Sequence, residues 1–428
     1  MHNFLKDEEY FMGLFTQRKS FIIKSLALTV TALMVNTAQA ADNSEIQQLR
    51  NEVQELKALL QQQQQQVRLV ESKVDTAPAA GLAGLKSKSG ADINIYGFVR
   101  GDANYIIKGA DSDFGGVPST TETAKDKLRA TAKTTRIGLD FNTPAGDAKV
   151  GGKVEADFMG GGTDAHGGLR IRHAYLTYNN WLFGQTTSNF LASHAPEMID
   201  FSTNVGGGTN RLPQVRYNYK VSPTTQLSVS AERGDDTTTN GSIKYSIPVL
   251  TGKVTQSYAG GNGNASARVL VENYKDNGVS KDKTGWGVAA GTDFKVSNEL
   301  KLFADASYVV GNSNDLYGSN AAYTVVGNSI EQNEFTAVQV GGTYKILPNL
   351  RSTLAYGALF ADDSNDFAKA NKGNKAINEK VQQAWLNVIY SPAKPIDLGV
   401  EYVNGKRDAL DGKSYKDNRV GLMAKYNF

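Results

Sequence analysis

The 428-residue chain has no cysteine. Disulfide frameworks, thiolate zinc sites and cysteine nucleophiles are thereby excluded together. Histidine is scarce, with four residues in all, and His166 beside Asp164 has no second ligand at a usual metal-binding spacing. Neither a metal nor a cofactor is expected. Residues 206–208 are three glycines without the Lys-Ser/Thr that completes a phosphate-binding loop. No Ser-His-Asp set falls where one side of a fold would gather it, so the chain does not read as an enzyme. A strong charge of one sign is also missing. The formal net charge is +3, which offers no basic footprint for nucleic acid. After the run 26–35, no apolar stretch approaches the ~18 residues of a membrane helix. If this chain crosses a membrane, it crosses with strands.

What is present begins with a leader. Arg18, Lys19 and Lys24 precede the apolar run 26–35, and Ala38-Gln39-Ala40 has the form of a cleavage site. Residues 1–40 therefore read as a signal peptide, and export is expected. The acidic Asp7, Glu8 and Glu9 are unusual for such a leader, and Met12 is an alternative start. Over residues 41–75 the apolar period is seven: Ile46, Val53, Leu60, Val67 and Val74 occupy position a, and Leu49, Leu56 and Val70 occupy d, with Gln63 as a polar layer. Charge pairs from g to the next e, Glu45 with Arg50 and Glu52 with Lys57, match a parallel, in-register α-helical coiled coil and hence a homo-oligomer. The first heptads favour two helices and the last three, so the number stays open. A Gln-rich tether centred on 61–66 is the rival reading. Residues 76–91, with Pro78, Gly81, Gly84 and Gly90, read as a linker.

From residue 92 to 428 the period changes to two. In the closing segment Val420, Leu422, Ala424, Tyr426 and Phe428 share one face, and Arg419, Gly421, Met423, Lys425 and Asn427 the other. The same alternation puts Val99, Ala103 and Tyr105 opposite Arg100, Asp102 and Asn104, and aligns Ile137, Leu139 and Phe141 on one face. Trp286, Val288, Ala290 and Phe294 do likewise, as do Leu398, Val400 and Tyr402. Short turns at Pro144, Pro223, Pro348 and Ser391-Pro392 alternate with long loops near 108–131, 188–212, 311–333 and 361–378. A plain count gives about seventeen strands, whereas closure with both termini on one side needs an even number. Assigning 241–247 to an outer loop, with 260–264 and 296–299 as tight turns and 275–284 as an outer loop, gives about sixteen. The fold class is all-β: a transmembrane antiparallel β-barrel of about sixteen strands, preceded by the coiled coil. Tyr426 and Phe428 are expected to serve barrel closure and assembly.

Several segments resemble Gram-negative porins: 169–178 followed by Trp181-Leu182-Phe183-Gly184-Gln185, residues 210–217, Tyr390-Ser391-Pro392, and the end through Gly399-Val400-Glu401-Tyr402, Gly405-Lys406-Arg407 and Phe428. Together with the N-terminal heptads, the mature chain is similar to the DcaP-like porins. That resemblance implies a homotrimeric outer-membrane channel of sixteen strands, a periplasmic coiled coil, and uptake of small anions such as dicarboxylates.

In a channel, selectivity comes from charges projecting into the lumen. The inward phase carries Arg100, Arg136, Lys153, Arg170, Arg172, Arg216 and Lys220, partly offset by Asp102, Asp140, Glu155 and Asp157, and Arg211 adds a further cation. Guanidinium groups bind carboxylates bidentately and stay charged, so a basic wall drawing carboxylates is expected. The rival reading is that these arginines only pair with lumen acids. Residues 188–212, which carry His194, Glu197 and Asp200, occupy the place where porins fold a constriction loop inward. As such a loop they are expected to set the acidic groups across from the basic wall, the rival reading being a surface loop without a role. Keeping Arg170 and Arg172 inward sends His173 towards lipid, which calls for a bulge or a protomer contact. The expected partners are outer-membrane lipid, further copies of the chain and small anionic solutes, with the cell wall as a partner for the stalk. The main functional rival is a structural or adhesive barrel with a closed lumen.

Overall fold

The computed structural model describes residues 85–428 apart from 162–166, 193, 201–203, 235–237, 239 and 314. The residues expected to form a signal peptide, the heptad positions Ile46 to Val74 and most of the expected linker lie outside the described residues. Sixteen antiparallel strands close into one ring. They are β1 (Asp92–Gly109), β2 in two segments (Ala124–Thr131 and Arg136–Ala145), β3 (Ala148–Gly160), β4 (Gly168–Tyr178), β5 (Trp181–Thr187), β6 (Arg211–Lys220), β7 (Thr225–Glu232) and β8 (Val249–Tyr258). The second half comprises β9 (Gly263–Asp276), β10 (Lys281–Lys295), β11 (Leu300–Val310), β12 (Glu334–Leu347), β13 (Leu350–Ala361), β14 (Asn378–Ala393), β15 (Ile396–Ala409) and β16 (Ser414–Asn427). Each strand pairs with its sequence neighbours, and β1 pairs with β2 on one side and β16 on the other. Closure satisfies the edge hydrogen bonds that an open sheet would expose.

The alternation has a simple cause. Side chains on successive strand residues point to opposite faces, and one face meets lipid while the other meets the lumen. On β1, Val99 is 57% exposed on the outer face while Arg100 is 2% exposed inside. Aromatics collect at both ends of the outer surface. Trp181 packs 4.8 Å from Tyr217 and Tyr258 stacks 5.8 Å from Phe294 at one end, and Trp286 lies 5.5 Å from Tyr308 nearer the other. These are the two girdles expected where rings straddle an apolar band and polar headgroups.

Short turns of two to four residues join the strands at one end, and the long connections lie at the other. Three expectations change. Residues 124–131, expected in a loop, form the first segment of β2 and pair with β1. The sequence Ala-Lys-Asp-Lys-Leu-Arg-Ala-Thr carries charge on alternate residues and little apolar signal, a pattern suited to a strand whose partner bonds continue past the apolar band. Residues 275–284, expected as an outer loop, are a hairpin in which Asp276 pairs with Lys281. Residues 241–247 do belong to a long connection, but Ile243–Tyr245 pairs with the end of β9. Ahead of the barrel, Leu85–Lys86 pairs back onto Ile93 and Asp92.

The apolar core lies inside the barrel, towards the long-loop end. Val117, Phe190, Leu191, Val205 and Leu316 from three loops pack against Val249, Leu270, Val309, Phe335, Leu359 and Val381 of the inner wall. Each such buried side chain is worth about 1.5–3 kcal/mol, which offsets the entropy of ordering the loops. The loop end is further covered by the hairpin Tyr323–Val326 and Ser329–Gln332, where Tyr323 stacks on Tyr274 at 5.3 Å and donates to Asp276 at 2.7 Å.

Candidate solute pathway

The connection after β5 folds into the lumen, and a chain of polar contacts holds it there. Ser188 Oγ and the Asn189 N–H donate to Glu232 at 2.7 and 2.8 Å. His194 Nε2 lies 3.4 Å from Asp305. Arg351 donates two bonds of 2.8 Å to Glu197, while Trp385 and Asn387 donate to the Glu197 carbonyl at 3.1 and 3.0 Å. The N–H groups of Ile199 and Asp200 both donate to Glu401 at 2.8 Å. Gln339 donates to Asn204 and to the Val205 carbonyl at 2.6 and 2.9 Å. Glycine permits the approach: a Cβ at Gly357 would stand 1.8 Å from the Val205 carbonyl oxygen, so only a bare backbone fits beneath the loop.

Two further loops meet the first inside the barrel. The Gly115 N–H donates to Asp200 at 2.6 Å, and the Tyr317 N–H donates to the Gly207 carbonyl at 2.8 Å. Burial pushes the Tyr317 hydroxyl up, reinforced by the charges of Asp200 and Asp417, so it stays neutral at the narrowing.

Between this loop assembly and the wall of β2, β4 and β6 lies a cavity of about 470 Å³. Arg136, Arg170, Arg172 and Arg211 line one side, and Ala195, Pro196, Met198, Phe114 and Tyr317 the other. Two carboxylates serve three of the four guanidinium groups. Asp157 accepts from Arg170 at 2.9 and 2.7 Å and from Arg172 at 2.9 Å. Glu155 accepts from Arg172 at 2.7 Å and lies 3.4 Å from Arg136. Arg211 has no carboxylate partner among the described residues, and its buried Nε makes no hydrogen bond. The wall thus carries an excess of about two positive charges where the passage narrows, in surroundings that screen charge less than bulk water.

The positions of the remaining candidates differ. Arg100 lies buried beneath the loop, its guanidinium on Asp102 at 2.5 Å and on the Ile199 carbonyl at 2.5 Å, so it braces the loop instead of facing the cavity. Lys153 bonds to Tyr96 at 3.0 Å and pairs with Asp140 at 3.1 Å. Arg216 lies further along β6 towards the short-turn end. The acids of the loop do not face the basic wall as expected. Glu197 and Asp200 turn to Arg351 and Gly115, and His194 turns to β10 and β11, where Asp293 and Asp305 lie. The loop's apolar side therefore faces the arginines.

His173 resolves through a bulge. Glu155 pairs with His173 and Ala156 with Ile171, leaving Arg172 as the extra residue. Arg172 and His173 then both point inward, and His173 Nδ1 lies 2.9 Å from Thr186 Oγ1. Sequence reading passed over Arg351, Gln339 and Glu401. Glu401 had a signal, since Val400 and Tyr402 outward place it inward. Phe114 and Tyr317 had none, because irregular loops have no phase.

A closed ring of sixteen strands, with a lipid-facing apolar belt and a lumen narrowed by an inward loop, defines a porin of the outer-membrane type. The model of the DcaP outer membrane protein family matches residues 31–428, and the chain belongs to that family. It is 74% identical to the outer membrane channel DcaP of Acinetobacter baumannii, whose crystal structure aligns with a TM-score of 0.79 over 81% of this chain and 100% of that one. OmpT of Vibrio cholerae in its trimer form is 14% identical with a TM-score of 0.52, covering 79% of this chain and 99% of that one. The anion-selective porin from Comamonas acidovorans is 13% identical with a TM-score of 0.53, covering 79% and 100%. These last two share the fold alone. No curated protein matches the chain.

Proposed function

We propose that this porin is a water-filled diffusion channel for small anionic solutes, dicarboxylates among them. The observation that carries the reading is the narrowing itself, where Arg136, Arg170, Arg172 and Arg211 outnumber Glu155 and Asp157. A carboxylate entering the cavity exchanges water for guanidinium forks, which match its two oxygens. Because Asp157 and Glu155 already engage Arg136, Arg170 and Arg172, the solute is held weakly enough to leave, as conduction requires. No bond is made or broken, and the gradient drives the flux.

In this reading the channel works as a homotrimer, with residues 41–75 as a parallel coiled-coil stalk reaching about 50 Å into the periplasm, towards the cell wall. Reversal potentials in planar bilayers under a KCl gradient test the proposal. Anion preference is expected, reduced in Arg136→Ala and Arg172→Ala, with added dicarboxylates producing blocking events. A cation-selective channel, or one unchanged by both substitutions, ends it.

A further inference from the structure

We propose that Arg216 and Lys253 form a second carboxylate-binding subsite in the lumen, beyond the arginine cluster on the way to the short-turn end. The inference rests on the anion-channel reading above and adds a second stop to the path. Arg216 stands on β6, five residues past Arg211, or about 17 Å along the strand. Its neighbours across the sheet are Ser230 on β7 and Thr251 on β8, and Lys253 follows two residues later on the same inward face of β8. Two strand spacings and one inward step separate the two Cα atoms by about 12 Å, a gap that an arginine and a lysine side chain span between them.

What distinguishes this pair is that neither cation makes an ion pair among the described residues. Arg216 donates to the Thr187 carbonyl at 2.7 Å, and its buried Nε has no acceptor. Lys253 donates to the Leu191 carbonyl at 2.8 Å. Neither has a carboxylate partner among the described residues. Of the nearest acids, Glu232 is fixed by Ser188, Asn189, Ser230 and Thr251 and acts on both cations only across space, and Asp305 accepts from Arg268 at 2.5 Å. The inward positions between the two cations, Asn218, Ser228 and Ser230, carry no charge, and the Asn218 amide adds a donor. Two half-buried cations with spare donors and no ion-pair partner are what a carboxylate leaving Arg211 meets next.

Both cations also donate to carbonyls at the start of the constriction loop, and the experiment separates that anchoring from anion binding. Single-channel block by succinate is measured in planar bilayers for the full-length protein, for Arg216→Gln with Lys253→Gln, and for Arg216→Lys with Lys253→Arg. The glutamine pair keeps a donor for each loop carbonyl but removes both charges, and the second pair keeps the charges. The half-blocking concentration is expected to rise roughly threefold per charge removed, close to tenfold for the glutamine pair, the size of an interaction between unit charges some 6 Å apart in water. It should stay near the wild-type value in the charge-keeping pair. Wild-type block in the glutamine pair overturns the proposal, and so does an equal loss in both pairs, which assigns the residues to loop anchoring alone. A wild-type channel without anion preference shows instead that the arginine-cluster reading has failed, and it is seen before any variant is made.

Discussion

Replacing Glu401 by glutamine should release the constriction loop while leaving the barrel closed. The Glu401 carboxylate is buried and accepts three bonds: from the Ile199 N–H and Asn387 at one oxygen, and from the Asp200 N–H at the other. A glutamine that keeps its oxygen towards Ile199 and Asn387 sets its NH2 against the Asp200 N–H, donor against donor. One charge-assisted bond is lost outright and two become neutral. With about 1.5–3 kcal/mol for a bond to a charged group, the docked loop loses about 3 kcal/mol, or roughly a 150-fold shift in its docking equilibrium. Contacts such as Arg351 with Glu197 and Gln339 with Asn204 remain, so the loop should open in excursions instead of leaving altogether. Single-channel recordings should show added conductance levels and noise, and limited proteolysis from the loop side should cut within 188–210. The strand hydrogen bonds are untouched, so the heat-modifiable gel mobility of the barrel should not change. A quiet, protease-resistant Glu401→Gln channel with wild-type conductance would refute the view that this carboxylate latches the loop.

Gly357→Val places a side chain where the Val205 carbonyl lies and should raise conductance by displacing the loop, measured in the same recordings. Deleting Phe428 removes its reciprocal backbone bonds with Gly97, 3.0 and 3.1 Å, and should lower the yield of folded barrel several-fold while the assembled fraction conducts normally. The Asp113 carboxyl in the loop 110–123 is pushed up by burial, but bonds from Lys133 and Arg129 outweigh this and hold it below the usual carboxylate range. Its contribution is therefore full above about pH 4, the unfolded value, and is lost as pH falls through the lower folded one. Protease protection of 110–123 should persist at pH 4 and fail at stronger acidity, and Asp113→Asn should abolish it at neutral pH.

The barrel was legible because lipid on one side and water on the other impose period two on strand after strand, from Val99 to Tyr426. Legibility ended where that constraint ends. Residues 124–131 pair as a strand but carry no apolar stripe, so their alternation of lysine and arginine resembles a loop. The bulge at Arg172 shows in the sequence only as a conflict of phase at His173, with the remedy undetermined until Glu155 finds its partner. The arginines of the cavity could be named from their inward phase, but their partners could not. Glu197 and Asp200 face away from that wall because Arg351 and the Gly115 N–H, distant in sequence, compete for them. Inside a lumen, opposite charges choose partners by proximity across the ring, which no local pattern encodes.

The closed ring also governs how the chain must be made. Strand β1 bonds to β2, with Ile93 opposite Phe141 roughly 50 residues on, and to β16, with Val99 opposite Tyr426 roughly 330 residues on. The extra chain length adds only about 2 kcal/mol of closure entropy, so the equilibrium cost is minor. The kinetic cost is larger, because until the final strand arrives both margins of the growing sheet present bare N–H and C=O groups that lipid does not satisfy. A chain stopped short of β16 is therefore not a narrower channel but an open-edged sheet primed to join its neighbours. Completion, more than any single contact, separates the open-edged sheet from the membrane-stable product.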